Sequence, residues 1–200
     1  EVVITSLPSE AAFSQVVHGA NSLLLANKDG LIVIETSTLP IEAKTEARDT
    51  LGKGGTILLD CPISGTGAQA VNRDLVVYGS GDEDAFNTCS PVFEGIARSN
   101  YYVGEFGNGS RMKYVANLLV HIHNVASAEA LVLGMKAGLN PEMIYNVIKD
   151  GAGNSRIFEL RGPMMVADNY DEATMKMDVW QKDIGVITEF AAAMDCPTPL

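Results

Sequence analysis

The spacing of apolar and polar positions changes near residue 105. Before that point, short runs rich in β-branched residues predict strands at 1–5, 31–36, 56–60 and 75–79. Apolar residues three to four apart predict helices at 9–18, 41–51 and 82–97. Strands that alternate with helices predict a parallel sheet with helices on its faces, and ligands of such sheets bind beyond the carboxyl ends of the strands.

After Gly107 the pattern is typical of helices. The stretch 110–137 predicts a single helix of about 40 Å. Its apolar stripe, at helical spacing, consists of Met112, Val115, Leu119, Ile122, Ala126 and Leu133. Shorter helices are predicted within 138–151, at 155–166 and at 178–194. We therefore predict an α/β domain over residues 1–106 and an all-α domain over residues 107–200, built on the long helix.

Composition and charge exclude several classes of function. A chain of 200 residues that is 46% hydrophobic can bury a sizeable core. A formal net charge of −11 disfavours nucleic acid and anionic membrane surfaces as partners. The longest apolar runs are shorter than the roughly 20 residues of a membrane span, and no signal-peptide pattern opens the chain. We expect a soluble, cytoplasmic protein that holds an anionic substrate through local positive groups.

The cysteines and histidines favour no metal site. Cys61, Cys89 and Cys196 have neither CxxC nor other metal-ligand spacing, which is typical of reduced thiols in a cytosol-like compartment. His121 and His123 are two residues apart, so on a helix they point in different directions. We predict that the protein binds no metal and that these histidines are structural.

Lys113 and Asn117 lie four residues apart in the stretch GNGSRMKYVANLL, 107–119. Positions i and i+4 are neighbours on one helix face, here on a polar strip opposite the apolar stripe. A lysine at the start of this helix projects toward the loops at the end of the sheet. Desolvated there, it serves as a general acid or base with a pKa pulled toward neutrality, or it stays charged and polarises a carbonyl. The alternative is a solvated lysine beside an ordinary asparagine.

A second candidate segment, DCPISGTG at 60–67, follows the third predicted strand. Its proline fixes the exit from the strand. The Ser-Gly-Thr-Gly run offers backbone N–H groups and hydroxyls to an anion such as a carboxylate. Taken alone, the segment is equally typical of an ordinary glycine turn.

Together, the two segments resemble the β-hydroxyacid dehydrogenase family, which includes 3-hydroxyisobutyrate dehydrogenase and tartronate semialdehyde reductase and belongs to the 6-phosphogluconate dehydrogenase superfamily. That family carries a D-x-P-x-S-G-G segment, then a glycine-rich entry to a helix with a lysine and an asparagine, then a late K-D pair. This sequence has DCPISGT at 60–66, GNGSRMKYVAN at 107–117 and QKD at 181–183, in that order. The resemblance covers essentially the whole chain and implies a Rossmann-type sheet domain followed by a helical domain.

The resemblance implies roles at the substrate. Lys113 matches the family's catalytic lysine, and Asn117 matches its substrate-orienting partner on the same helix. Ser64, Gly65 and Thr66 match the segment that grips the substrate carboxylate. Thr66 stands where the family has glycine, so the choice of substrate cannot be transferred to this chain.

The resemblance also implies contacts with NAD or NADP. Leu7, Pro8 and Thr38 align with loops that touch the dinucleotide, and Lys182 matches a lysine that reaches the cofactor near the site. Asp183 orients Lys113 or Lys182, or forms a plain structural ion pair. No G-x-G-x-x-G segment is present. We therefore expect that the chain lacks the first βαβ units of the nucleotide domain and a short C-terminal piece, and with them the residues that distinguish NAD from NADP.

The sequence thus predicts an NAD(P)-dependent oxidoreductase that interconverts a small β-hydroxy acid and its semialdehyde or keto form. One alternative is a related imine reductase, although Lys113 argues against it because such relatives generally lack lysine at this helix position. The other is a catalytically silent binding or assembly module of the same fold. The long helix and its apolar successors expose more hydrophobic surface than their own residues can cover, which favours a homodimer or homotetramer.

Overall fold

The computed structural model describes residues 1–26, 28–170 and 177–199. Within these ranges the strands are β1 Val2–Thr5, β2 Ile32–Glu35, β3 Ile57–Asp60, β4 Ile63–Ser64, β5 Val76–Gly79 and β6 Ser99–Tyr102. The helices are α1 Glu10–His18, α2 Ile41–Gly52, α3 Gly67–Val71, α4 Glu83–Thr88, α5 Ser90–Ile96, α6 Asn108–Lys136, α7 Pro141–Ile148, α8 Arg156–Val166 and α9 Met177–Ala193. A 3₁₀ helix, Leu23–Ala26, precedes β2.

The strands form two three-stranded sheets that meet at Asp60. The first has the order β1-β2-β3 and is parallel, with Val3 opposite Val33 and Val33 opposite Leu58. The second has the order β4-β5-β6, with β5 and β6 parallel and β4 antiparallel to β5. Asp60 at the end of β3 exchanges backbone hydrogen bonds of 2.8 and 3.0 Å with Ser80. The carboxyl ends of β3 and β5 therefore lie side by side.

Two hydrophobic clusters cover the opposite faces of this arrangement. On one face, Phe13 of α1 and Leu51 of α2 pack with Val33. On the other face, Phe86 of α4 and Phe93 of α5 belong to a second cluster, which also contains buried strand residues. Every residue of β2 is buried, as expected for a parallel strand with both faces covered.

The structure differs from the prediction in several short elements. The helix predicted over 82–97 is divided into α4 and α5 at Cys89, because Pro91 starts a new helix in its first turn. Strand β6 has the polar sequence SNYY and carries no hydrophobic alternation that would reveal it. Strand β4 and helix α3 have two and five residues, too few for a periodic pattern.

The long helix α6 turns its polar strip toward the sheet and its apolar stripe away from it. Its apolar stripe faces outward, since Met112, Val115 and Leu119 are 43%, 55% and 50% exposed. Its polar strip faces inward, since Lys113 and Asn117 are only 8% and 7% exposed. The first turns of α6 pack on β3, β4 and β5, and the helix also contacts α7, α8 and α9. Because lysine is rarely buried, the buried Lys113 makes this inward strip a candidate functional site.

By length and composition, α6 is also the one helix in the described ranges that is able to cross a membrane, a property shared by core helices of soluble proteins. The sequence prediction compared only uninterrupted apolar runs with a membrane span and so did not register this helix. The buried Lys113 on its inner strip is an ionisable residue, a type that is costly to place inside a bilayer.

Candidate active site

The first turn of α6 lies directly on the carboxyl ends of β3 and β5. Gly107 precedes the helix with a φ of 93°, a conformation that glycine adopts without strain. A Cβ atom on Gly109 would lie 2.4 Å from Tyr78 O and 2.5 Å from Asp60 O. The glycines in the GNG segment therefore permit the entry turn and the close approach of helix and sheet that deliver Lys113 to the strand ends.

Lys113 lies one turn beyond this contact and is 8% exposed. Burial, which removes water from the ammonium group, lowers the pKa of Lys113 to about 8. The neighbouring positive charge of Lys182 also lowers this pKa, whereas the carboxylate of Asp183 raises it. Near neutral pH the side chain is thus able to exist in both protonation states, as a proton carrier requires.

Asn117, one turn after Lys113, contacts α9. Its Nδ2 donates a hydrogen bond of 2.9 Å to Asp183 Oδ2. This bond holds the amide in one orientation and places a carboxylate beside the polar strip. The sequence left open whether Asp183 orients Lys113 or Lys182 or forms a plain structural ion pair. In the structure Asp183 contacts Lys182 and also Asn117, which the sequence did not suggest, and its charge acts on Lys113.

Lys182 connects α9 to the loop after β2. Its Nζ donates a hydrogen bond of 2.8 Å to Thr38 O and lies 3.0 Å from Asp183 Oδ1. The neighbouring Leu39 O accepts a hydrogen bond from Tyr114 OH at 2.5 Å. The structure thus brings Thr38, Lys182 and Asp183 together with the Lys113 strip.

The loops after β1 and β2 are tied to each other through Glu35. This carboxylate is fully buried, accepts a hydrogen bond from Thr5 Oγ1, and accepts another from Ser37 N at 2.6 Å. Ser37 Oγ in turn accepts a hydrogen bond from Leu7 N at 2.7 Å. Pro8, the other residue predicted to touch the dinucleotide in the first loop, is exposed at the surface. Sequence reasoning missed Glu35, although an acidic residue ending the apolar run LIVIE was an available signal.

The segment predicted to hold a carboxylate lies beside α6, because β4 ends at Ser64 and packs against that helix. Gly65 has a φ of 132°, and a Cβ atom there would lie 2.5 Å from Leu75 Cδ2. Thr66 N donates a hydrogen bond of 3.0 Å to Gln69 Oε1 at the start of α3. That backbone amide is therefore already engaged, whereas Ser64 is half-buried at the helix side of the turn.

His121 extends the Lys113 strip by a further turn. Its ring stacks on Trp180 of α9 with centroids 5.3 Å apart. Burial lowers the pKa of His121, Lys113 lowers it further, and Asp183 raises it. The sequence treated this histidine as structural, and its spacing of eight residues from Lys113 was the signal that placed it on the same face. Within the described ranges, no group of three or more His, Cys, Asp or Glu side chains is arranged to hold a metal.

Comparison with protein families assigns both parts of the chain. Residues 1–104 match the NAD binding domain of 6-phosphogluconate dehydrogenase. Residues 107–200 match the family described as NAD-binding of NADP-dependent 3-hydroxyisobutyrate dehydrogenase.

Individual relatives are hydroxy-acid dehydrogenases. The L-threonate dehydrogenase of Cupriavidus necator is 32% identical over 201 residues, which cover 100% of this chain and 67% of that protein. The 2-(hydroxymethyl)glutarate dehydrogenase of Eubacterium barkeri is 28% identical, over 100% of this chain and 66% of that protein. The chain thus spans about two thirds of the length of these relatives.

Solved structures share the fold. The 3-hydroxyisobutyrate dehydrogenase from Salmonella typhimurium has a TM-score of 0.88 and 30% identity, over 100% of this chain and 69% of that one. An imine reductase variant from Myxococcus stipitatus in complex with NAD+ has a TM-score of 0.65 and 16% identity, over 84% of this chain and 55% of that one, which shows the fold alone. The predicted fold class, a Rossmann-type sheet followed by helices built on one long helix, is confirmed.

Proposed function

This chain belongs to the 3-hydroxyisobutyrate dehydrogenase family, and on that premise we propose that the whole protein is an NAD(P)-dependent oxidoreductase of small hydroxy acids in which Lys113 carries the proton. The observation that supports this most strongly is the burial of Lys113, with a pKa of about 8, at the ends of the strands. A solvated lysine, the alternative from sequence, does not fit an exposure of 8%.

A bound nicotinamide supplies the hydride acceptor in oxidation and the hydride donor in reduction. In oxidation, the neutral amine of Lys113 takes the proton from the substrate hydroxyl while the hydride leaves the carbon that bears this hydroxyl. In reduction, the ammonium returns that proton to the oxygen. Because Asn117 Nδ2 donates to Asp183, the Asn117 Oδ1 remains to accept a hydrogen bond from the substrate hydroxyl or from the Lys113 ammonium.

The carboxylate of the substrate is assigned to Ser64, Gly65 and Thr66. Since Gln69 takes the backbone amide of Thr66, the contact falls to the Ser64 hydroxyl, the Gly65 amide and the Thr66 hydroxyl. Placing this anion beside α6 also stabilises the charged form of Lys113, so substrate binding raises the pKa of Lys113 above its value in the free protein.

The dinucleotide is assigned to the loops after β1 and β2, with Leu7, Pro8 and Thr38 as contacts and Lys182 reaching it from α9. These loops fit such a ligand because they leave the carboxyl ends of neighbouring parallel strands and are fixed by the Leu7–Ser37 bond. The division into a nucleotide domain at 1–106 and a substrate domain at 107–200 is part of the same proposal.

The exposed apolar stripe of α6 supports assembly into a homodimer or homotetramer, with a second copy covering Met112, Val115 and Leu119. Size-exclusion chromatography with light scattering tests this directly. A monomer at micromolar concentration would exclude it. We place the protein in the cytoplasm and assign it no metal, nucleic acid or membrane partner.

A substrate screen tests the proposed function. The full-length protein is assayed with NAD and with NADP against L-threonate, 3-hydroxyisobutyrate, 2-(hydroxymethyl)glutarate and a panel of cyclic imines. L-Threonate carries hydroxyls on the first and the second carbon after the carboxylate, so identifying its product also decides whether a β-hydroxyl is the one oxidised. Turnover of a hydroxy acid is expected. Turnover of imines alone would favour an imine reductase, and failure with every compound would favour a silent binding module.

A further inference from the structure

A fully buried ion pair lies beneath the first turn of α6 and takes no part in the proposed chemistry. Lys44 of α2 and Asp60 at the end of β3 are 1% and 0% exposed. Lys44 Nζ donates hydrogen bonds to Asp60 Oδ1 at 2.8 Å and to Ser37 O at 2.7 Å. A buried ion pair is often no more stabilising than apolar side chains of the same size, so fold stability alone does not account for it.

The carboxylate of Asp60 is directed at the start of the long helix. Its Oδ2 accepts a hydrogen bond from Ser110 N at 2.8 Å, and its Oδ1 accepts one from Ser110 Oγ at 2.8 Å. The first amides of a helix have no partner within the helix, and a negative charge at that end is favoured by the helix dipole. Asp60 therefore satisfies one of these amides with a charge that Lys44 balances.

Ser80 holds Gly109, the residue that precedes Ser110 in α6. Its Oγ accepts a hydrogen bond from Gly109 N at 2.9 Å and donates to Asp60 O at 3.1 Å. The consecutive backbone amides of Gly109 and Ser110 thus donate to acceptors from Ser80, the residue after β5, and from Asp60 at the end of β3. Together with the close backbone approach at Gly109, these bonds fix the rotation and the height of the first helical turn.

Lys113 follows Ser110 by three residues and therefore lies on the same side of the helix, one turn on. A rotation or a slide of the first turn moves the Lys113 amine away from the strand ends. A displacement of about 1 Å at a reacting group is enough to lower a rate by about a hundredfold.

We propose that Asp60, held by Lys44, is a positioning residue that sets the place of the Lys113 amine through its two hydrogen bonds to Ser110. This inference rests on the proposed function of Lys113 and adds the device that aims it. Asp60 acts through the helix and does not touch the reacting atoms.

Two variants and one control test the proposal in the full-length protein. Ser110→Ala removes the hydroxyl bond and keeps the backbone amide. The double variant Lys44→Met with Asp60→Asn removes both charges at once, so no buried charge is left unpaired. Ser127→Ala is the matched control, because Ser127 is a buried serine of the same helix that donates to His123 O and lies 14 residues, about four turns, beyond Lys113.

We expect Ser110→Ala to lower kcat about tenfold and the double variant to lower it by a larger factor, while KM and the Kd of the cofactor change less than about threefold. Ser127→Ala should leave kcat within about twofold. Amide hydrogen exchange at Ser110 should become faster in the double variant, which reports the loosened first turn directly.

Three results overturn the proposal. If kcat of both variants matches that of Ser127→Ala, the network does not position Lys113. If kcat and cofactor affinity fall together with the melting temperature, the network holds the fold and not the amine. If Lys113→Ala itself leaves turnover intact, the proposed function fails and this inference fails with it, whereas a large loss in Lys113→Ala with none in Ser110→Ala or in the double variant refutes the positioning role alone.

Discussion

Asn117 Nδ2 donates a hydrogen bond of 2.9 Å to Asp183 Oδ2, joining the polar strip of α6 to α9. This bond orients the Asn117 amide. The same Asp183 carboxylate lies 3.0 Å from Lys182 Nζ, and its charge raises the pKa of Lys113 against the effect of burial. The Asn117–Asp183 bond therefore links the geometry of the site to its proton affinity, and both can be tested by substitution.

Asn117→Ala should lower kcat by about 10- to 100-fold, because the variant loses the acceptor proposed to hold the substrate hydroxyl and leaves Asp183 Oδ2 without its Asn117 donor. Steady-state kinetics of hydroxy-acid oxidation give the measurement. Asn124→Ala, seven residues further along the same helix, is the control and should behave like the unmodified protein. Equal turnover in the two variants would remove Asn117 from the site.

Asp183→Asn should move the inflection of kcat/KM for hydroxy-acid oxidation, expected near pH 8 in the unmodified protein, to a lower pH. The reason is that the Asp183 charge favours the ammonium form of Lys113, so its removal lowers the pKa of Lys113 further. Asp178→Asn makes the same charge change at an exposed position of α9 and serves as the control. An inflection that stays in place in Asp183→Asn would show that Lys113 is not the group that titrates.

Lys182→Met should move the same inflection in the opposite direction. The positive charge of Lys182 disfavours the ammonium form of Lys113, so removing it raises the pKa of Lys113. The pH profile of kcat/KM, measured as for Asp183→Asn, gives the comparison. Shifts of the same sign in the two variants would contradict the charge arrangement described here.

Gly109→Ala should destabilise the protein by about 1–3 kcal/mol, because the added Cβ meets the backbone oxygens of Tyr78 and Asp60 at 2.4 and 2.5 Å. Gly185→Ala in α9 is the matched control, since a Cβ there meets nothing within 4 Å. As an ordinary helix substitution, the control should stabilise the protein by up to about 1 kcal/mol. Denaturant unfolding measures both, and equal free energies would show that α6 does not press on the sheet.

Much of the site could be predicted from the sequence because its residues are close in the chain or carried by the resemblance. The spacing of Lys113 and Asn117 fixes a shared helix face without knowledge of the tertiary fold. The assignment of Lys182 and Asp183 to the same region came from the resemblance, and the contacts of Lys182 with Thr38 and of Asp183 with Asn117 now support it.

Other features depend on contacts that no local pattern encodes. Lys44 reads as a surface residue of an amphipathic helix, yet it is buried against Asp60, which lies 16 residues away. The polar strip of α6 is buried against β3, β5 and α9, and helical periodicity alone does not say which face of α6 these elements cover. Strand β6 pairs with β5, but its polar sequence does not predict a strand.

The pH dependence of hydroxy-acid oxidation, compared between the unmodified protein and Lys113→Ala, tests whether Lys113 carries the proton. Because oxidation needs the neutral amine, kcat/KM of the unmodified protein should rise with pH and level off above an inflection near pH 8, and the reverse reaction should decline above it. Lys113→Ala should lose the inflection and about 10²- to 10⁴-fold of the turnover while cofactor binding is kept. Lys136→Ala, at the exposed last turn of the same helix, should keep both. An unchanged inflection and undiminished turnover in Lys113→Ala would show that Lys113 does not carry the proton.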